Sequence, residues 1–200
     1  MKKLLAVCAA AALIGSLGCS SAFASPLKNY DAGKFAIDAG LTIPTNMKLS
    51  GYKLSKSNSG YAGATVGLGK NMALNYQWDN YKCDEGRTRA QQLNLNYKLL
   101  PGLAAYVGYM NIDTKGAGHS DKENSGHIGL VAAYDIPLLF TVWGKANVGI
   151  KNSGYELGLS KALFNNLELN ASYFNHKFDE AYGKDDVKSR GVKLGVTVKF

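Results

Sequence analysis

The chain closes on Val192-Lys193-Leu194-Gly195-Val196-Thr197-Val198-Lys199-Phe200, in which apolar and polar residues strictly alternate. A period of two puts the apolar side chains on one face of a strand and Lys, Gly, Thr and Lys on the other. At the edge of a soluble sheet such a row invites aggregation. In a barrel closed within a bilayer the row meets acyl chains and every backbone group is paired.

The same code recurs upstream. Phe35, Ile37, Ala39 and Leu41 alternate with Lys34, Ala36, Asp38 and Gly40, and Leu93, Leu95, Tyr97 and Leu99 with Gln92, Asn94, Asn96 and Lys98. Ile128, Leu130, Ala132 and Tyr134 do so against His127, Gly129, Val131 and Ala133. Leu167, Leu169, Ala171 and Tyr173 face Glu168, Asn170, Ser172 and Phe174. The segment 103–112 is apolar at both parities, so its register is open. No stretch keeps a 3.6-residue spacing, which excludes a helical domain.

Strands of nine to eleven residues cross a tilted barrel wall. The patterning predicts ten, over 34–43, 61–69, 72–80, 90–99, 103–112, 126–135, 139–149, 154–162, 167–177 and 190–200. Eight is the alternative, because only Ile150 to Ser153 separate the seventh from the eighth. Short turns such as Gly69-Lys70-Asn71 and Leu100-Pro101-Gly102 occupy one end. Long polar connections over 44–60, 81–89, 113–125 and 178–189 occupy the other. That asymmetry marks an all-β fold, a single antiparallel up-and-down transmembrane β-barrel with periplasmic short turns. Phe35, Phe140, Tyr97, Tyr134 and Phe200 then fall at one height and Trp78, Tyr155 and Tyr173 at another, as in aromatic girdles.

The start of the chain fits export. Lys2 and Lys3 precede an apolar run, Leu4 to Gly18, and Ala22-Phe23-Ala24 offers a cleavage site before Ser25. Lipoprotein processing at Cys19 is disfavoured because Ser16 stands where a Leu is expected. The division is thus a cleaved signal over 1–24, a periplasmic tail over 25–33 and a barrel over 34–200. The chain carries +8, and removal of Lys2 and Lys3 leaves +6 without a basic run, which argues against nucleic acid. Cleavage would leave Cys83 as the sole cysteine, so no internal disulfide can form.

On the strength of Val192 to Phe200, the leader, and the phrases Tyr61-Ala-Gly-Ala-Thr-Val-Gly-Leu-Gly69 and Leu93-Asn-Leu-Asn-Tyr-Lys-Leu-Leu-Pro-Gly102, the chain resembles the small porin-like outer-membrane β-barrel proteins of diderm bacteria. The resemblance implies an outer-membrane location among lipid and lipopolysaccharide. It also implies that Val196, Val198 and Phe200 form the signal read by the barrel-assembly machinery. It implies no particular activity, since such barrels host pores, adhesins and enzymes.

The alternation assigns a lumen lined by Lys34, Lys98, Lys145, Lys193 and Lys199 against Asp38, Asp79, Asp135, Glu156 and Glu168. Asn75, Gln77, Asn94, Asn96, Asn147, Asn170 and Ser172 fill between. In so narrow a barrel these charges should pair into a rigid polar core rather than hold a wide pore.

Other chemistry finds little support. Gly67-Leu68-Gly69-Lys70 lacks the first Gly and the Ser/Thr of a phosphate loop. His119, His127 and His176 lie toward one rim without ligand spacing, so no metal or cofactor is expected. The acids Asp113, Asp121, Glu123, Asp179, Glu180, Asp185 and Asp186 show no EF-hand order. Omptin-like proteases are ten-stranded, and Asp79, Asp179 and His176 fall near the rim here, but no matching motif exists. His119-Ser120 is likewise not the His-x-Ser of a barrel deacylase.

The expectation is a non-enzymatic porin-like envelope protein, structural or a narrow passive channel. The alternative is a surface adhesin working through 44–60, 113–125 and 178–189, and a rim enzyme is third.

Overall fold

A computed structural model describes residues 30–116 and 119–200. The leader, its Ala24–Ser25 junction and the start of the tail lie outside the described residues. The order is β1 (Phe35–Leu49), β2 (Tyr52–Lys53), β3 (Ser59–Gly69), β4 (Met72–Cys83), β5 (Gly86–Leu100), β6 (Leu103–Gly116), β7 (His119–Ile136), β8 (Phe140–Gly149), β9 (Asn152–Phe164), β10 (Leu167–Tyr182) and β11 (Asp185–Lys199). Each pairs antiparallel with its neighbours, and β1 pairs with both β3 and β11, which closes a ten-stranded barrel. The two-residue β2 is a ribbon laid on the end of β1. The count of eight fails because Ile150 and Lys151 make a tight turn between two fully paired strands, β8 and β9.

Alternation sorts the wall. Outward-facing Leu95, Val107, Ile128, Leu157, Leu169 and Leu194 are exposed, while inward-facing Asn94, Tyr106, His127, Glu156, Asn170 and Lys193 are buried. The open register of 103–112 resolves with Ala104, Tyr106, Met110 and Ile112 inward. The outward apolar run ends at one height all round, where Trp78 gives way to Asn80, Leu93 to Gln91, Tyr109 to Asn111, Tyr173 to Asn175 and Val192 to Arg190. An unbroken band of this kind suits the hydrocarbon core of a bilayer.

The strands do not stop at that height. The long connections expected over 81–89 and 178–189 are strand hairpins whose turns span only residues 84–85 and 183–184, and within 113–125 β6 runs to Gly116 and β7 begins at His119. Within 44–60, β1 continues to Leu49. On these extensions the outward positions are polar or charged, so the apolar alternation of the wall stops. Arg89 opposes Asp113, which opposes Lys122, and Thr114 Oγ1 donates to Thr88 Oγ1 at 3.1 Å. Cys83 accordingly closes a strand instead of sitting in a loop, and its thiol donates to the Gly86 carbonyl.

Candidate functional site

The lumen is layered. Its midsection is a charged network built by inward positions of five strands. Lys193, on β11, is 2% exposed and reaches Asp79 Oδ1 of β4 at 2.7 Å and Glu156 Oε2 of β9 at 3.2 Å. Lys145 of β8 reaches the same Glu156 oxygen at 3.1 Å and donates to Gln77 Oε1 at 2.8 Å. Gln77 Nε2 donates to Asp79 Oδ2, and Ser172 Oγ of β10 donates to Glu156 Oε1. These hydrogen bonds replace water around charges whose burial would otherwise be costly.

Asp38 lines the same cavity of about 110 Å³, with its carboxylate lying over Gly63. A cavity of that size holds several waters. Three carboxylates thus meet two lysines here, so the centre is not the equal balance expected of the whole lumen.

Aromatic side chains frame the network. Lys193 Nζ stands 5.3 Å from the Tyr61 ring centroid and 5.5 Å from that of Phe174. Tyr61 can lie there because β1 and β11 present Gly40 and Gly195 to it. A Cβ on Gly195 would stand 2.1 Å from the Tyr61 hydroxyl. Trp143 Nε1 donates to Ser160 Oγ. His127 Nε2 meets Asn94 Oδ1 at 2.7 Å, and Asn94 continues to Asn75 and Thr65.

The remaining predicted lumen residues lie toward the end that carries Phe35 and Phe200. There Lys199 pairs with Glu168, Thr141 donates to Asp135, and Asn170 donates to Thr197. Lys34 precedes β1 and Lys98 sits near the end of β5. Tyr30, from the tail, packs into this end against Ala36, Ala73 and Ala104.

The layer beyond the network has no counterpart in the sequence reading. Met47, Tyr81, Ala90, Met110, Ile112, Phe174, Phe178, Ala181 and Val187 form one buried apolar cluster across the lumen. A signal was present, because Phe174 and Phe178 share the parity of Glu168, Asn170 and Ser172. His176 is caught in this layer as a buried, hydrogen-bonded side chain, its Nδ1 2.6 Å from the Tyr81 hydroxyl. His127 is buried likewise. Among the described residues no cluster of His, Cys, Asp and Glu is arranged to hold a metal ion.

Past the apolar band, charges are paired on one side of the rim. Lys151 reaches Glu123 at 2.7 Å and Glu180 at 3.1 Å, and Lys177 meets Asp179 and Asp186. The Lys177 ammonium holds the Asp186 carboxyl below the usual carboxylate range, and both acids push Lys177 up. Burial pushes the Cys83 thiol up, and the Glu85 charge adds to that.

A ten-stranded closed meander, an outward apolar band and a side-chain-filled interior are now in place. The fold is a closed, ten-stranded antiparallel β-barrel. No family model matches the chain, and no curated protein is similar to it in sequence. Neisserial surface protein A is 14% identical, the match covering 84% of this chain and 99% of that one with a TM-score of 0.48. The NanC porin is 11% identical over 84% of this chain and 100% of its own, with a TM-score of 0.41. The outer membrane protein AlkL, solved in lipid bilayers, is 10% identical over 91% and 97%, with a TM-score of 0.39.

Proposed function

We propose that this protein is a non-enzymatic, structural barrel of the bacterial outer membrane whose lumen is closed at rest. The observation that carries the reading is the buried apolar cluster of Tyr81, Ile112, Phe174 and Phe178, which packs inside the barrel beside the Lys193 network. An ion leaving the polar cavity would have to shed its water against these side chains, which is a high barrier in a low-dielectric passage. The polar cavity is therefore an interior ion-paired core. It ties β4, β8, β9, β10 and β11 together across the lumen and makes the wall rigid.

The outward apolar band supports placement in a membrane. The leader, read from the sequence, supports the outer membrane, with the chain termini on the periplasmic side. The adhesin alternative loses its long flexible loops to paired hairpins, so any recognition would have to use rigid strand edges.

Planar-bilayer recording of the refolded mature chain tests the closed lumen. Silence at all applied voltages is expected. Discrete conductance steps in the unmodified protein would replace the closed barrel with a narrow channel.

A further inference from the structure

Like charges directly opposed on neighbouring strands destabilise a sheet, yet the rim of this barrel keeps two such rows. On one, Lys53 of β2 opposes Lys48 of β1, which opposes Lys188 of β11. On the other, Lys82 of β4 opposes Arg87 of β5, which opposes Lys115 of β6. Directly opposed residues share a face. The flanking Val187, Ser189, Tyr81, Thr88 and Thr114 are buried in the interior, so both rows point outward. A bridge between Ser57 and Lys82 brings the rows together into one arc.

Of the acids beside the arc, Glu85 accepts from Ser55 Oγ, and Asp113 stands opposite Arg89 and Lys122 on the neighbouring strands. Among the described residues no ion pair ties any of the six cations to a carboxylate. The first row runs on to Lys177 of β10, which opposes Lys188, and there the row gains partners: Lys177 and, nearby, Lys151 each hold two acids, and Asp186 acts on Lys188 as well. Acids of the protein thus relieve the repulsion at the Lys188 end of the arc, and among the described residues no ion pair relieves it from Lys48 to Lys115.

Height supplies the partner. The arc stands four to six residues beyond the last outward apolar side chains, Val192, Trp78, Leu93 and Tyr109. A tilted strand rises about 2.5 Å per residue, so the backbone there is about 10–15 Å past the hydrocarbon. Lys and Arg stems reach back over apolar surface toward a head-group layer. We propose that this arc seats the phosphate groups of a bisphosphorylated glycolipid in the outer leaflet. The inference rests on the membrane placement given above and is independent of the closed lumen.

The test uses the full mature chain folded in vesicles of zwitterionic phospholipid. Insertion is checked first by protease protection and heat-modifiable gel migration, so a failure of membrane placement shows before any binding is read. Affinity is then measured, after detergent extraction, for a bisphosphoryl glycolipid and its dephosphorylated analogue. The triple variant Lys48→Gln, Arg87→Gln, Lys188→Gln should bind the phosphorylated lipid about tenfold or more weakly. Triple Arg replacement at Lys48, Lys82 and Lys188 should retain binding and so separate charge from folding. The triple Lys122→Gln, Lys151→Gln, Lys177→Gln, which takes the two lysines that hold acids and the one that opposes Asp113, should change affinity less than about twofold.

Equal losses in both Gln triples, or equal binding of the dephosphorylated lipid, would overturn the arc. Complete displacement by inorganic pyrophosphate at equimolar concentration would overturn the lipid as its source and leave a soluble polyanion.

Discussion

Phe200 lies flat on Phe35, their ring centroids 4.4 Å apart and their planes 7° from parallel, and the two residues exchange both backbone hydrogen bonds. The last residue of the chain thus pairs with the first of β1, and closure of the barrel is completed by its final side chain. Phe200 is 4% exposed although it stands on the outward parity. Phe200→Ala should therefore cost about 3 kcal/mol, at the low end for a buried Phe, in urea unfolding of the vesicle-bound protein. Deleting residue 200 should cost more, because Phe35 then loses its backbone partner too. A loss below about 1 kcal/mol for the Ala variant would mean that the stack is incidental to closure.

The Lys193 ammonium is shared between Asp79 and Glu156. Asp79→Asn leaves it Glu156 and should destabilise by about 1.5–3 kcal/mol, the worth of a hydrogen bond to a charged group. Lys193→Met strands the Asp79 carboxylate while Glu156 keeps Lys145, so it should cost about 3–5 kcal/mol, and adding Asp79→Asn should recover part of the loss. The check is a double-mutant cycle by denaturant titration. Strict additivity would show that the two side chains do not act as a pair.

Wall and lumen were not equally legible in the sequence. The barrel class, the strand number and the inward parity of Asp79, Lys145, Glu156 and Lys193 all follow from a period of two, which survives any error in strand ends. The hairpin extensions were hidden because their outward positions are Lys82, Arg87, Arg89, Asp113, Lys122 and Lys188, which leave no outward apolar stripe. The apolar layer was hidden for a different reason. Parity says which residues face inward, but not which inward residues from Met47 to Val187 meet at one height. That depends on the stagger between strands, fixed by features such as the register shift between Pro44 and Asn46.

Phe174 and Phe178 sit one above the other on β10 and contribute two large rings to the cluster above the network, with Tyr81 tilted against both at 5.6 and 5.7 Å. Replacing both with Ala should open the passage at a cost of about 3–5 kcal/mol each. Conductance steps are expected from the double variant in planar bilayers where the parent is silent. Adding Lys145→Glu should then shift the ion preference toward cations, since a positive group beside the cavity becomes negative. A silent double variant would place the closure elsewhere, and Tyr30 at the opposite end is the next side chain to remove.

Cys83 tests the projecting hairpins by chemistry instead of stability. Burial and the nearby Glu85 charge both raise its thiol pKa, and only the thiolate attacks an alkylating reagent. At pH 8 the thiolate fraction is therefore smaller than for an exposed cysteine, and alkylation by iodoacetamide should be slower. The rate should climb as pH rises through the elevated pKa, with its midpoint above that of a model thiol. Glu85→Gln removes a negative charge that disfavours the thiolate, so its profile should move to lower pH while the partial burial by Leu54 and Tyr182 remains. If residues 81–89 were instead a mobile loop, Cys83 would alkylate like a free thiol, and Glu85→Gln would leave the profile where it was.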